Sequence, residues 1–264
     1  MKSNLTTKNI YLASDFHLGI PDEKTSLLRE KEIISWLNEI ENDAEEIYLV
    51  GDIFDFWFEY KRVVPRGFVR LQGKIASITD KGIPVHVFTG NHDMWIFDYL
   101  PKELGVKLHR KPIEKTFFGK KYLIGHGDGL GPGDKSYKFL KIIFQNSICK
   151  WLFARLHPNL GIWLAQKSST SSRNINANED ALFKSKEHEL LYHFCKEHAK
   201  NNNCDYYIFG HRHLPLKINI KDGVEYLNLG EWLSYNTFVK ITPDNTTLMQ
   251  YKNGSMKVFE NPLG

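Results

Sequence analysis

Seven residues have side chains suited to holding metal ions: Asp15, His17, Asp52, Asn91, His126, His211 and His213. They fall in five short clusters, "DFH", "GDIFD", "GNHD", "HGDG" and "GHRH". Carboxylates, imidazoles and one amide, with no thiolate, suit Mn²⁺, Fe²⁺, Zn²⁺ or Mg²⁺ rather than a soft metal. Seven donors are too many for one ion but fit two that share a carboxylate. Two cations about 3.5–4 Å apart can clamp the attacking and leaving oxygens of a phosphoryl displacement. Asp15 and His17 are two positions apart, so on extended chain both can face one side, and His211 and His213 repeat the spacing. Singly, each cluster is an ordinary surface pair, cap or turn. The set in order is what points to chemistry.

Such clusters need a scaffold that gathers them. Short apolar runs at 10–14, 46–50, 84–88 and 122–125 read as buried strands, and each runs straight into one of the polar clusters. Helical spacing at Leu28, Ile33, Trp36, Leu37 and Ile40 predicts a helix over 24–41, and a second covers 66–80. In open α/β sheets ligands bind just beyond the carboxyl ends of the strands, so four clusters at four strand ends predict one shared site. After a helical stretch from Tyr137 to about His198, short runs at 206–210, 214–220, 225–230, 236–241 and 247–251 read as a meander of strands. The expected organisation is one α/β domain over residues 1–264 with a helical insertion at approximately 134–176.

Composition excludes several classes. At 264 residues, 42% hydrophobic and 25% charged, the chain is ordinary for a globular protein with a full core. The first residues lack the apolar run of a signal peptide, and no window approaches a membrane span. Cys149, Cys195 and Cys204 form no CxxC pair, which suits reduced thiols in the cytoplasm. The net charge of +4 is concentrated: from Lys138 to Lys186 eight basic residues face only Glu179 and Asp180. That points to an anionic ligand or membrane surface met by this segment, or to a solvated helix face.

Taken together, "DFH…GDIFD…GNHD…GHGD…GHRH" resembles the calcineurin-like metallophosphoesterase superfamily. The resemblance implies an α/β/β/α sandwich with a di-metal centre. It assigns Asp15, His17, Asp52 and His213 to one ion and Asp52, Asn91, His126 and His211 to the other, with Asp52 bridging. It also implies that a metal-bridging hydroxide attacks phosphorus in line. His92 would point to the substrate as general acid or transition-state stabiliser, with Asp93 orienting its ring. Its simpler role is to buttress Asn91.

The inserted segment bears on the substrate. Tyr137, Leu140, Phe144, Ile148, Trp151 and Leu152 recur at spacings of three and four, one face of a helix, and "LGIWLA" adds a second apolar piece. Core packing is the usual meaning of such a stripe. On an excursion from a sandwich it would instead cover a hydrophobic ligand or face a membrane. Lys interleaved with Phe, Ile and Trp suits lipid better than a nucleic-acid backbone, so no nucleic-acid partner is expected.

"HGDGLGPGDKSYKFLK" is similar to the UDP-2,3-diacylglucosamine hydrolase family of lipid A biosynthesis. That likeness implies two divalent ions, most simply Mn²⁺, and a helical cap over the site. The product pair would be UMP and 2,3-diacylglucosamine 1-phosphate. The enzyme would be peripheral on the cytoplasmic face of the inner membrane. Substrate contacts would come from Asn91, His92, Tyr137, Lys167, Ser168 and Arg173, with Phe144 and Trp151 on the acyl chains. Two features depart from many proteobacterial members, which carry Arg at the position of His92 and a different polar run in the cap. They suggest a Bacteroidetes-type branch. Another nucleotide pyrophosphate or a cyclic nucleotide stays open as substrate, as does a non-catalytic scaffold.

Overall fold

The computed structural model describes residues 8–133, 135–165, 167 and 183–260. Its first sheet has seven strands in the order β12-β11-β10-β1-β2-β3-β4. These are β1 (Asn9–Ala13), β2 (Ala44–Val50), β3 (Val85–Phe88), β4 (Lys107–His109), β10 (Thr237–Ile241), β11 (Thr246–Lys252) and β12 (Ser255–Val258). The second has five, β5-β6-β7-β9-β8, formed by β5 (Ile113–Phe117), β6 (Lys120–Gly125), β7 (Tyr206–Phe209), β8 (Pro215–Lys221) and β9 (Val224–Leu229). β1 to β4 run parallel, as do β6, β7 and β9.

Side-chain alternation along the strands produces the layers. In β1, Ile10 and Leu12 face inward with Tyr48, Val50 and Phe88, meeting Tyr122, Ile124, Ile208 and Leu227 of the second sheet. Tyr11 and Ala13 face the other way. They join Ile47 and Leu49 against Ile33, Trp36 and Leu37 of α1 (Glu23–Ile40) and Leu71, Ile75 and Ile78 of α2 (Val69–Asp80). The outer face of the second sheet, with Leu123, Tyr207, Phe209 and Tyr226, packs on Leu191, Cys195 and Ala199 of α7 (Leu190–Asn201). Helices therefore flank two face-to-face sheets. This is the α/β/β/α order expected from the motifs.

Three features differ from the sequence reading. The terminal strands are no single meander: β7, β8 and β9 belong to the second sheet, and the chain then crosses so that β10 pairs with β1. Turn residues mark where strands end but not which sheet receives them. The short or exposed strands β4, β5 and β12 carry too few apolar residues to stand out. The apolar stripe from Tyr137 onward is split between α4 (Lys135–Gln145) and α5 (Ser147–Phe153), because the Asn146 side chain accepts from the Ile148 and Cys149 amides and starts a new helix. A further helix, α6, covers 158–165. A short helix, α3 (Tyr99–Leu104), follows the loop after β3.

Candidate metal centre

The parallel strands deliver their carboxyl ends to one edge of the sandwich. Asp15 and His17 follow β1, Asp52 follows β2, Asn91 and His92 follow β3, His126 follows β6, and His211 and His213 follow β7. Main-chain hydrogen bonds knit these ends together: Asp15 N to Gly51 O at 3.0 Å, His17 N to Asp52 O at 3.0 Å, and Gly210 N to His126 O at 3.0 Å. The last joins two ends of the second sheet, as the first two do for the first sheet.

All seven predicted donors meet there. Ligand atoms of Asp15, His17, Asp52 and His213 lie within 4.8 Å of one another, and those of Asp52, His126 and His211 form a second such group. Asp52 is common to both. His17 Nε2 faces His213 Nε2 at 3.0 Å, and Asp15 Oδ1 is 3.3 Å from His213 Nε2. On the other side Asp52 Oδ2 is 3.2 Å from His126 Nε2. Asn91 Oδ1 sits 3.3 Å from His126 Nε2 and 2.9 Å from His211 Nδ1.

Whether these residues fit two cations is decided by the buried oxygens. Asp15 Oδ1 and Asp52 Oδ2 are buried and have no hydrogen-bond partner among the described residues. A carboxylate oxygen withdrawn from water without a donor is costly, and each lies among imidazole nitrogens with which it could share a cation. His126 Nδ1 lies 2.8 Å from Val50 O and so donates there, which leaves the Nε2 lone pair aimed at the centre. The donor set fits a pair of hard-to-borderline divalent ions.

The backbone is bent to serve this arrangement. Asp15, His17, Asp52, His211 and His213 all have φ between 44° and 68°, the left-handed region that non-glycine residues rarely occupy. Five such residues in one cluster mark a site whose geometry the surrounding fold enforces. Glycines keep space free beside them. A Cβ on Gly90 would fall 2.1 Å from Asp52 Oδ1, and one on Gly210 would fall 2.5 Å from Asp15 Oδ2. Burial would depress the His17 imidazole, yet Asp15, Asp55 and Asp52 hold its pKa up at about 9. Burial, with His126 alongside, pulls His211 down to about 4.

The family model for calcineurin-like phosphoesterases matches residues 8–215, which span every one of these donors. The chain belongs to the calcineurin-like phosphoesterase family. A UDP-2,3-diacylglucosamine hydrolase from Porphyromonas gingivalis is 39% identical over 252 residues, covering 91% of this chain and 95% of that protein. One from Vibrio vulnificus is 27% identical and covers 79% and 85%. Among solved structures, the Escherichia coli phosphoesterase YfcE overlays with a TM-score of 0.48 at 13% identity, over 96% of this chain and 98% of that one.

In this phosphoesterase His92 lies beside the two groups, its ring edge-on to His17 at 4.9 Å and its amide donating to Asp52 Oδ1 at 2.9 Å. Its ring partner is not the expected one. Asp93 is fully buried and accepts from the Gly90 amide at 2.7 Å and the Ile53 amide at 2.8 Å, so it braces two motif turns. Burial and the Asp52 charge raise its pKa to about 7. Asp55 takes the place beside His92: its carbonyl oxygen is 3.0 Å from His92 Nδ1, and its Oδ1 is 3.5 Å from His17 Nδ1. The only sequence sign of this was a second aspartate in "GDIFD".

The cap residues disperse. The Tyr137 hydroxyl donates to Asp128 Oδ2 at 2.6 Å, and Lys141 pairs with the same carboxylate. Lys141 is thus tied to the loop that carries His126. Phe144 packs on Trp95 at 5.4 Å, and its carbonyl accepts from the Trp95 indole at 2.9 Å. Trp151 is 56% exposed, with Arg155 stacked over it at 4.6 Å. Lys167 is exposed, and its ammonium lies over Trp163 at 5.2 Å. Ser168 and Arg173 lie outside the described residues. Phe153 of the apolar stripe packs on Phe56, Phe58 and Trp95, an aromatic seat for the cap that escaped the sequence reading because its members sit on two separate loops.

Proposed function

We infer that the protein hydrolyses the pyrophosphate of UDP-2,3-diacylglucosamine, giving UMP and 2,3-diacylglucosamine 1-phosphate. The observation that carries the reading is the pair of donor groups sharing Asp52, set beneath three apolar helices. The relatives named for this reaction, similar along most of their length, support the same substrate.

Asp15, His17, Asp52 and His213 would hold one ion, and Asp52, Asn91, His126 and His211 the other, with Mn²⁺ our choice of metal. Bound there, two divalent ions lower the pKa of water toward ~7 and offset charge on the phosphoryl oxygens. The residues do the positioning. Asp52 spans both groups, and its Oδ1 also accepts from the His92 amide, which couples the placement of His92 to that of the ions. With Nδ1 donating to Asp55 O, a protonated His92 would present its Nε2 hydrogen toward a phosphoryl or leaving-group oxygen. Asn91 Oδ1, between His126 and His211, anchors the same loop from the other side.

The segment over α4, α5 and α6 we read as a cap for the acyl chains, within one domain. A cavity of about 440 Å³ runs between the loop after β2 and α6, lined by Leu18, Asp55, Phe56, Tyr60, Val64, Phe68, Pro158 and Ile162. Its apolar wall and its contact with Asp55, a neighbour of His92, suit an acyl chain leading away from the reacting phosphate. The outer cap surface exposes Phe139, Ile142, Ile148, Trp151, Leu152 and Trp163, with Lys150, Arg155 and Lys167 among them. Among the described residues no helix is long and apolar enough to cross a membrane. An apolar patch edged with cations suits peripheral attachment to an anionic membrane surface, which we place at the cytoplasmic face.

The deciding experiment offers purified protein UDP-2,3-diacylglucosamine, UDP-N-acetylglucosamine and a cyclic nucleotide with added Mn²⁺. Release of UMP from the diacylated substrate at least ~100-fold faster than from the others is expected. Equal turnover of the unacylated sugar nucleotide would remove the acyl-cap reading.

A further inference from the structure

We propose that Glu189 is a positioning residue for the metal centre, acting through Arg212. This rests on the di-metal reading above. Arg212 stands between His211 and His213, and both histidines are held in the left-handed backbone region, at φ of 68° and 58°. A loop of two strained ligands needs restraint from outside itself. Glu189 supplies it: Arg212 Nε donates to Oε2 at 3.0 Å and to Oε1 at 3.3 Å, and Nη2 donates to Oε1 at 3.2 Å. The pair is sheltered, with the Glu189 side chain 4% and the Arg212 side chain 16% exposed.

The loop is also held by hydrogen bonds from Arg212 N to Gly210 O at 2.8 Å, from His211 N to Asp15 Oδ2 at 3.0 Å and from Asn228 Nδ2 to Gly210 O at 2.6 Å. The forked pair ties the loop to the start of α7. Glu189 opens α7, where its carbonyl accepts from the His193 amide, so it is fixed to a helix buried against the second sheet. The next residue, Leu190, has its carbonyl so close to Gly131 that a Cβ there would fall 2.4 Å away. The start of α7 thus touches the loop after His126 as well as the loop of His211 and His213. Chain returning from the cap is fastened at this point to both histidine loops of the second sheet.

A planar guanidinium held bidentately fixes orientation as well as position, so neither Lys for Arg nor Gln for Glu reproduces it. Loss of a group that orients ligands costs roughly 10- to 100-fold in metal affinity. The test titrates Mn²⁺ into metal-free, full-length protein by calorimetry, comparing wild type with Glu189→Gln, Arg212→Lys and Asp52→Ala. Wild type should bind two ions and Asp52→Ala should lose them. Glu189→Gln and Arg212→Lys should bind with affinity lowered roughly tenfold or more, while cooperative thermal unfolding persists. Should either variant fail to fold, the other carries the measurement. Wild-type affinity in a folded Glu189→Gln or Arg212→Lys protein overturns the inference and leaves the di-metal reading intact. A wild-type protein that binds no Mn²⁺ overturns both.

Discussion

The Nδ1 of His92 lies 3.0 Å from the main-chain oxygen of Asp55, 37 residues earlier in the chain, while the adjacent Asp93 carboxylate turns away to backbone amides. This separates two residues that "GNHD" places side by side. His92→Ala should lower kcat by roughly 10²- to 10⁴-fold, the usual contribution of a proton-transferring group, with both Mn²⁺ ions retained. Asp93→Asn should act on the fold: one of the two buried amides then faces an NH2 group in place of an acceptor oxygen, at about 1–3 kcal/mol, read as a lower melting temperature. A normal kcat in His92→Ala would relegate the residue to bracing Asn91.

Asp52 is the one donor shared by both groups, and its Oδ2 has no other hydrogen-bond partner among the described residues. Asp52→Ala should therefore strip both ions and abolish Mn²⁺-dependent release of UMP, whereas His213→Ala should weaken chiefly one. Metal content of the purified variants measures the difference. Two bound ions in Asp52→Ala would refute the bridging assignment.

The donor cluster was legible in the sequence because its members are polar residues placed directly after apolar strands, a pattern that burial cannot explain. Asp55 and Asp128 were less visible, since an aspartate near a motif looks the same whether it caps a turn, holds a histidine as Asp55 does, or anchors a tyrosine and a lysine as Asp128 does. The split of the terminal strands between sheets was illegible for a different reason. Sheet membership of β10 depends on pairing with β1, more than 220 residues away, and nothing local in "NTFVKI" encodes it. Helical periodicity gave the face of α4 and α5 but not the break between them, which comes from the Asn146 side chain capping the second helix.

Cap residues should separate into two classes by what they touch. Phe144 and Phe153 rest on Trp95, so Phe153→Ser should loosen the cap and raise KM for the diacyl substrate roughly tenfold, sparing bis-p-nitrophenyl phosphate. Trp151 packs under Arg155 and is otherwise exposed. Trp151→Ser should leave turnover in detergent unchanged and reduce binding to vesicles containing anionic lipid, read by cosedimentation. Equal loss on both substrates for Phe153→Ser would mean the aromatic seat supports the whole fold.

Stability should fall in acid in two stages set by a polar cluster away from the metal centre. His109 Nε2 meets His86 Nδ1 at 2.8 Å, and His86 Nε2 lies 3.3 Å from Glu46, which also accepts from Tyr48 and pairs with Lys115. Burial, with His86, Lys115 and Lys107 nearby, lowers His109 from its ordinary 6.5 to about 4. Between those values the unfolded chain binds the proton and the folded one does not, so stability is full above about 6.5 and declines toward pH 4. Glu46, lowered from 4.5 to about 2 by His86, Tyr48 and Lys115 against the opposing effect of burial, adds a second decline from about 4.5 toward 2. Both groups are partly solvated, so each stage should amount to about 1 kcal/mol. In metal-free protein, His109→Phe should erase the difference between pH 7 and pH 5 attributable to the first stage. Glu46→Gln should lower stability at pH 7 and converge with wild type near pH 2. Denaturant midpoints for the three proteins across that range measure it, and parallel curves for His109→Phe and wild type between pH 7 and pH 4 would exclude His109 as the source.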